Sequence, residues 1–448
     1  MSVAGLLGAI KEAPTYVWRR DLDKRIPLLN YEVIELPNGL RVATHSMPHS
    51  YSVAVTVSIA VGGRDEEADV AGISHFVEHM LFKGTEQRPT PRDLSVAIEG
   101  VGGTLNAATE KELTTYWAKV PTNHARLALD LLADMMQRAL FLEDDVRKER
   151  HVIEEELLMI EDTPQELVNG LVDQLIWPGH PLGWEIMGTI ATLKRLDREL
   201  LSAYYHHHYA PNHTVLSVAG NISHQEVVNV AAQLFGSWGE KPDTHPRLPP
   251  SQPDTRWAYK EKDFEQVHLC LGAGGLSRLD RDRRALDIQN LILGGGMSSR
   301  LFQEIRERLS IAYDVQAYVD YFTDCGASVI SVATEPESAV KCMTAIAREI
   351  RRMMTEPPGA DELIRVKEFL KGRTMLAMED TLGLSQWLGG QLLLNGKIQP
   401  LCDLLDEIDA VTADDVLRIS QKVFAKDSLC LAGVGPAIDV EPLVQLLE

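Results

Sequence analysis

The chain has 448 residues, of which 45% are hydrophobic and 24% charged, and its formal net charge at pH 7 is −21. This length exceeds what one small hydrophobic core serves, so we expect two or more domains. The acidic balance argues against non-specific binding of nucleic acid or of an anionic membrane surface, and it is compatible with a basic peptide as substrate. Five cysteines without a C-x-x-C pair favour a reduced, cytoplasmic setting over a disulfide framework.

The predicted strands and helices follow a similar order in two halves of the chain. Residues 1–27 form an N-terminal extension, and neither a secretory signal nor a membrane-spanning stretch is expected. A first domain at 28–240 is separated from a second domain at 258–448 by a proline-rich linker at 241–257. Both domains close with a strand, a glycine and a helix. We therefore predict an α+β fold of two duplicated units, each with helices packed on a mixed sheet, and two unrelated α+β domains are the alternative.

The segment SHFVEHMLFKG at 74–84 has the spacing of a metal-binding helix. Asp69 is the predicted N-cap of this helix, and Gly84 lies just past its end. His75, Glu78 and His79 stand at positions i, i+3 and i+4, so all three project from one face. Two imidazoles one turn apart can bind one zinc ion, and the glutamate between them can reach a water on the metal. A solvated polar face is the alternative, and a third ligand would decide between them.

A second helix, predicted over EDDVRKERHVIEEELLMIEDTPQE, offers the third ligand. Glu149 and Glu156 are seven residues apart and fall on the same side of this helix, whereas Glu154 and Glu155 point away. That side also carries the apolar residues Val146, Val152, Ile153, Leu157 and Ile160. A carboxylate in an apolar layer is costly unless it is paired or bound to a metal. We therefore predict Glu156 as the third zinc ligand and Glu149 as a partner of a ligand or of the metal-activated water.

Another histidine cluster competes for the metal assignment, in the segment YHHHYAPNH. It contains His206, His207, His208 and His213. Adjacent histidines diverge on any regular element, so we interpret this run as a structural corner before the next strand, with an adventitious metal site as the alternative. The cysteines are predicted to be small buried residues.

With these motifs, the sequence resembles the pitrilysin-type inverzincin peptidases, which include insulin-degrading enzyme and the mitochondrial processing peptidases. The resemblance covers nearly all of the chain after about Leu28. GISHFVEHMLFKGT is similar to the zinc helix of the family, ERHVIEEELLMIEDTP to its distal ligand helix, and NAATEKELTTY to its active-site edge strand. In the second half, LGGGMSSRLFQEIRERLSIAYDVQAY resembles the segment with an arginine and a tyrosine seven residues apart, here Arg306 and Tyr313.

The resemblance implies a zinc endopeptidase that hydrolyses peptides or unfolded polypeptides inside a chamber closed by duplicated units. A small two-unit member of the bacterial type supplies half of such a clamshell and needs a partner. The presence of both the zinc motif and the arginine–tyrosine pair favours a homodimer over a homologous partner subunit. One zinc ion per chain is expected.

The resemblance also implies a role for each site residue. His75, His79 and Glu156 hold zinc, and Glu78 accepts the proton of the attacking water and passes it to the leaving amine. Glu149 is expected to assist from the second helix. The substrate backbone pairs with the edge strand at Asn106 and Ala107, and Arg306 and Tyr313 hold a substrate carbonyl and stabilise the oxyanion. A non-catalytic or partner-dependent peptide-binding subunit is the alternative function, and a surface salt bridge is the alternative role of Arg306.

Overall fold

The structure is a computed structural model that describes residues 11–12, 30–240, 247–250, 256–425 and 428–447. It confirms the predicted α+β class, with two mixed sheets covered by helices. Of the predicted N-terminal extension, only Lys11–Glu12 belong to the described residues, and most of the predicted linker at 241–257 also lies outside them. In the described part of the chain, no helix has the length and apolar character that crossing a bilayer requires.

The first sheet has seven strands in the order β1-β2-β3-β7-β4-β6-β5. Only the β3–β7 pair is parallel, and every other neighbouring pair is antiparallel. All residues of the central strand β7 are buried, as expected for a strand covered on both faces. Strand β5 forms one edge of the sheet. The strands are β1 (Lys11–Glu12), β2 (Tyr31–Glu35), β3 (Arg41–Ser46), β4 (Ser52–Ile59), β5 (Thr104–Thr109), β6 (Thr114–Pro121) and β7 (Thr214–Gly220).

The second sheet has five strands and repeats the winding of the first. Its strands are β8 (Trp257–Glu261), β9 (Val267–Gly274), β10 (Ala312–Tyr321), β11 (Gly326–Thr334) and β12 (Leu429–Gly435), in the order β10-β11-β9-β12-β8. Strand β8 is parallel to β12, and the other pairs are antiparallel. Strands β8, β12, β9, β11 and β10 therefore correspond one by one to β3, β7, β4, β6 and β5. Two unrelated domains would not be expected to share this order, so the structure supports duplication.

Helices connect the strands in both halves of the chain. Those before the linker are α1 (Ile73–Leu81), α2 (Pro91–Glu99), α3 (Ala125–Arg138), α4 (Glu143–Asp162), α5 (Pro164–Ile176), α6 (Ile190–Leu193), α7 (Arg198–His208) and α8 (His224–Phe235). Those after it are α9 (Arg283–Gly294), a π-helix (Phe302–Arg308), α10 (Ala339–Thr355), α11 (Ala360–Ala377), α12 (Thr381–Asn395), α13 (Leu401–Ala410), α14 (Ala413–Val423) and α15 (Glu441–Val444).

The described residues form two compact units, each of which includes a segment from the other half of the chain. The first unit contains the described residues up to Glu155, those of Glu185–Arg247, and Thr374–Asp403; the second contains the remainder. Helix α12 therefore packs on the first sheet and α5 on the second. Each of these helices follows a long helix, α11 or α4, in its own half. A single cut at the linker, as predicted from the sequence, assigns both helices to the unit in which they do not pack.

Candidate metal centre

The helix that carries the histidine motif begins later than the sequence predicts. Its first residue is Ile73, and the N-cap position is Gly72, with a φ of 97° that favours glycine. The predicted N-cap, Asp69, is wrong, because this residue lies in the preceding 3-10 turn. The buried carboxylate of Glu66 satisfies the free helix amides instead, accepting hydrogen bonds from the backbone of Gly72 at 2.7 Å and Ser74 at 2.8 Å.

Two histidine rings of α1 point their nitrogens at each other. The Nε2 atoms of His75 and His79 are 3.2 Å apart. His79 Nδ1 lies 2.9 Å from Glu149 Oε1, and because a carboxylate only accepts, this nitrogen carries the proton and leaves the Nε2 lone pair facing His75. Two nitrogens bound to one zinc ion at about 2.0–2.1 Å in tetrahedral geometry lie roughly 3.3 Å apart. The observed spacing therefore fits a shared metal ion.

Helix α4 brings the third predicted ligand to these rings. One ligand atom from each of His75, His79 and Glu156 lies within 4.8 Å of the other two. Helix α4 is continuous from Glu143 to Asp162, and Glu156 follows directly after the stretch of it that belongs to the first unit. Among the described histidine, cysteine, aspartate and glutamate residues, this is the group of three or more found close enough to hold one ion.

The apolar face of α4 is narrower than predicted. Val146 and Ile153 are fully buried, and Glu149 is 5% exposed beside them. Val152, which the helical pattern places on the same side, is 43% exposed, so that part of the prediction is wrong. Val152 lies at the margin of the apolar face of α4, and no neighbouring element of the described structure covers it there. Glu155 is exposed, as its predicted outward direction requires.

Glu149 is held between two cationic or polar donors. Its Oε1 atom contacts His79 Nδ1, and its Oε2 atom lies 2.5 Å from Lys83 Nζ. Burial acts to raise the pKa of Glu149, but the hydrogen bonds from His79 and Lys83 outweigh it and hold the pKa below the usual value. Glu149 is therefore an ionised partner that fixes the tautomer of His79. Lys83 was not identified from the sequence, although it follows His79 by four residues.

His75 has the properties of a neutral metal ligand. Burial, together with the neighbouring His79 ring, lowers its pKa to about 3, despite the opposing charge of Glu149. Its Nδ1 atom is buried and makes no hydrogen bond in the described structure. Metal binding requires a neutral imidazole. Because its pKa is low, His75 is neutral at neutral pH, and protons do not compete with a metal ion for its ring nitrogen. Two imidazoles and one carboxylate are the donor set of a catalytic zinc site with an open position.

Glu78 lies on the same helix but outside the ligand group. The Glu78 residue is 9% exposed, and its Oε2 atom accepts a hydrogen bond of 2.6 Å from Thr109 Oγ1 at the end of β5. Thr109 belongs to the motif quoted for the edge strand, but its contact with Glu78 joins positions 31 residues apart and could not be read from spacing. The hydrogen bond fixes one oxygen of the residue that the sequence predicts as the general base.

The predicted substrate-binding residues Asn106 and Ala107 lie on β5, at the edge of the first sheet. The Ala107 amide donates a 2.9 Å hydrogen bond to the side chain of Asn106, and Asn106 is exposed. This amide therefore points away from the ladder and towards the open edge. A peptide that pairs with β5 would take the place of the Asn106 side chain at that donor.

Arg306 and Tyr313 lie together in the second unit. The Arg306 guanidinium carbon is 4.2 Å from the centre of the Tyr313 ring and 4.7 Å from that of Phe302. Tyr313 is 77% exposed, and Arg306 approaches Glu307 only at 3.8 Å. The guanidinium therefore stacks on two rings and also forms a long ion pair with Glu307, the contact considered as the alternative. Phe302, which completes this stack, was not identified from the sequence.

Among the described residues, neither the second histidine cluster nor the cysteines belong to the group that could hold a metal ion. His206, His207 and His208 end helix α7, and His213 is buried in the turn before β7. Burial, followed by the neighbouring His207 and His213 rings, lowers the pKa of His208 to about 4. All five cysteines are free, and burial raises the pKa of Cys270, Cys342 and Cys430 to about 12. Cys325 and Cys402 are only partly buried, so the prediction of buried cysteines is wrong for these two.

Comparisons with known proteins identify the family. Residues 41–190 match the family model described as "Insulinase (Peptidase family M16)", and residues 195–370 match "Peptidase M16 inactive domain". The chain is 36% identical over 408 residues to the "Uncharacterized zinc protease YmxG" of Bacillus subtilis, which covers 89% of this chain and 97% of that protein. It is also 36% identical to the "Uncharacterized zinc protease SCO5738" of Streptomyces coelicolor, over 90% of this chain and 89% of that protein.

The chain therefore belongs to peptidase family M16, the pitrilysin-type family, and the predicted resemblance is confirmed. Solved structures agree at the level of the fold. A protease from Helicobacter pylori superimposes with a TM-score of 0.85 at 22% identity and covers 92% of this chain and 100% of that chain. A Pseudomonas fluorescens protein titled "peptidase M16 inactive domain" gives a TM-score of 0.84 at 20% identity, over 92% and 99%. At the family level, the relatives are zinc proteases by name.

Proposed function

We propose that this chain is a zinc-dependent endopeptidase that hydrolyses peptides or unfolded polypeptides, with one zinc ion per chain. The observation that carries the proposal is the convergence of His75, His79 and Glu156 within 4.8 Å, with Glu78 on the same helix but outside this group. Three protein ligands leave an open coordination position, whereas a structural zinc site closes with four. The names of the curated relatives support the same chemistry.

The residues of the chain would divide the work of hydrolysis. A bound zinc ion supplies Lewis-acid polarisation of the attacking water and of the scissile carbonyl. Glu78 takes the proton of the water as it attacks and delivers it to the leaving amine. The hydrogen bond from Thr109 to Oε2 fixes the orientation of the Glu78 carboxylate. Glu149 holds His79 in the tautomer whose Nε2 can bind the metal.

The edge strand β5 provides a binding mode for an extended substrate. A peptide adds to such an edge through main-chain hydrogen bonds, which are independent of sequence. We propose that the exposed side of Asn106 and Ala107 accepts the peptide and that Arg306 and Tyr313 bind a substrate carbonyl. The exposure of Tyr313 and the stacking of Arg306 on its ring support a binding role for this pair. A homodimer remains the proposed assembly.

The proposed function is tested with the purified chain and a quenched, unstructured peptide. We expect about one zinc ion per chain, cleavage that a chelator abolishes, and recovery when zinc is restored. Glu78→Gln should retain the metal and lower turnover by about 10²–10⁴-fold, the range for loss of a general base. Glu155→Gln, an exposed carboxylate on α4, is the matched control and should leave both unchanged.

Three results would contradict the proposal. Zinc binding without cleavage by the wild-type chain, at any oligomeric state measured by light scattering, would favour the peptide-binding subunit. Full activity of Glu78→Gln would remove the assigned base. Absence of zinc from a folded chain would remove the hydrolytic assignment altogether.

A further inference from the structure

The second oxygen of Glu149 is occupied by a residue that no part of the proposed mechanism uses. Lys83 Nζ lies 2.5 Å from Glu149 Oε2, while Glu149 Oε1 contacts His79 Nδ1 at 2.9 Å. The side chains of Lys83 and Glu149 are 24% and 7% exposed, so the ion pair is largely shielded from solvent. It is therefore less screened than the exposed ion pairs of the protein surface.

The backbone after α1 places Lys83 at this position. The helix ends at Leu81, and the Lys83 amide still donates to the carbonyl of Met80 at 3.0 Å, so the turn continues just far enough to carry Lys83 beside His79. Gly84 then leaves the helical direction with a φ of 134°. A Cβ atom there would lie 2.5 Å from the Pro89 carbonyl oxygen, so only glycine fits this exit.

We propose that Lys83 is a positioning residue that clamps the Glu149 carboxylate and thereby sets the orientation of the metal ligand His79. A carboxylate with one free oxygen can rotate about its last side-chain bond, or turn that oxygen to a metal ion nearby. With Oε2 bound to Lys83, Glu149 can only serve His79, and the ligand set stays at two histidines and Glu156. The open position that hydrolysis requires is thereby preserved.

The inference rests on the proposed function only in that the site binds a metal, so it is tested by metal affinity rather than by turnover. Zinc affinity is measured by competition with a chromophoric chelator for the wild type, Lys83→Met, Glu149→Gln and the double variant. Removing a residue that orients a metal ligand weakens affinity by about 10–100-fold, and Lys83→Met should reach the lower end, about tenfold. In the Glu149→Gln background the same substitution should change affinity less than twofold.

Two control variants separate clamping from simple loss of charge. Lys148 precedes Glu149 on α4, and its side chain is 69% exposed, so Lys148→Met makes the same charge change without the contact. We expect its zinc affinity to stay within twofold of the wild type. Lys83→Arg keeps the charge and the donors and should stay within about threefold. Circular dichroism of the metal-free variants confirms the fold, and Lys83→Gln replaces Lys83→Met in the cycle if the latter does not fold.

Cobalt binding gives an independent signature of the ligand geometry. If loss of Lys83 lets the Glu149 carboxylate rotate and so changes the orientation of His79, the visible absorption of the Co²⁺-loaded Lys83→Met protein should differ from that of the wild type, because this absorption depends on the ligand geometry. Zinc affinity of Lys83→Met within twofold of wild type would overturn the inference. An equal loss with and without Glu149 would also overturn it. A wild-type chain that binds no zinc would refute the proposed function instead.

Discussion

Glu66 gives the sharpest test of how helix α1 is held, because its carboxylate is buried and yet accepts two backbone hydrogen bonds. Burial raises the pKa of Glu66 to about 7, despite the opposing hydrogen bonds from Gly72 and Ser74 and the charge of Lys111. In the unfolded chain the usual pKa of 4.5 applies. Replacing Glu66 with glutamine removes this titration while keeping the size of the side chain.

The expected change in the free energy of unfolding with pH follows from the two pKa values of Glu66. Between pH 4.5 and about 7, the folded protein binds a proton at Glu66 that the unfolded chain releases. Stability therefore falls as pH rises through this window and levels off above about 7. A difference from 4.5 to about 7 corresponds to about 3 kcal/mol, since each tenfold change in proton affinity is worth about 1.4 kcal/mol. The wild type should lose this amount relative to Glu66→Gln as the pH rises.

Hydrogen exchange of peptides that cover α1, followed in urea on the metal-free protein, measures this difference without assuming that both units unfold together. Contributions from the histidines cancel because both proteins contain them. Glu67→Gln changes the exposed neighbour and should leave the pH dependence unaltered. A wild type that instead gains stability relative to Glu66→Gln with rising pH would refute the reasoning. It would mean that the hydrogen bonds to Gly72 and Ser74 outweigh the cost of burial.

Two further substitutions test contacts around the site. Thr109→Val removes the hydrogen bond to Glu78 at nearly constant volume, and since such a bond to a charged group is worth about 1.5–3 kcal/mol, kcat/KM should fall about 10–100-fold at unchanged zinc content. Thr115→Val on β6 is the control, and equal losses in both would contradict the assignment. Arg247→Met removes three hydrogen bonds to Asp65 and Glu112 and should lower the free energy of unfolding by about 1.5–3 kcal/mol, measured in urea. The control variant Arg147→Met, at an exposed site, should leave the free energy of unfolding unchanged. An unaltered unfolding transition for Arg247→Met would show that these hydrogen bonds do not stabilise the fold.

Helical periodicity could select the residues of the candidate metal centre because each of them lies on one regular element. The spacing of His75 and His79 follows from the geometry of one helix, and the choice of Glu156 among many glutamates follows from the face it shares with Glu149. Neither step requires knowledge of the sheet. The exposure of Val152 marks the limit of this approach, since a helical pattern gives a direction but not the neighbour that covers it.

Features that depend on contacts distant in sequence could not be predicted in the same way. The exchange of α5 and α12 between the units leaves no local mark, because an apolar helix face fits either sheet. The N-cap shows the same limit: Asp69 satisfies the local rule, but the burial and hydrogen bonds of Glu66 decide the start of α1. Lys83 is different, since its spacing of four residues from His79 was a usable signal.

The duplication explains why the two units carry charged side chains at matching places, although the chemistry of those side chains differs. Helix α1 lies between β4 and β5, and its side chain Glu78 is bound by Thr109 on β5. The π-helix lies between β9 and β10, the corresponding strands, and its side chain Arg306 stacks on Tyr313 of β10. In each unit, therefore, the connection between corresponding strands presents a charged side chain to the strand that follows. The backbone arrangement keeps that contact, and the sequence decides whether it holds a carboxylate beside the candidate metal centre or an exposed guanidinium.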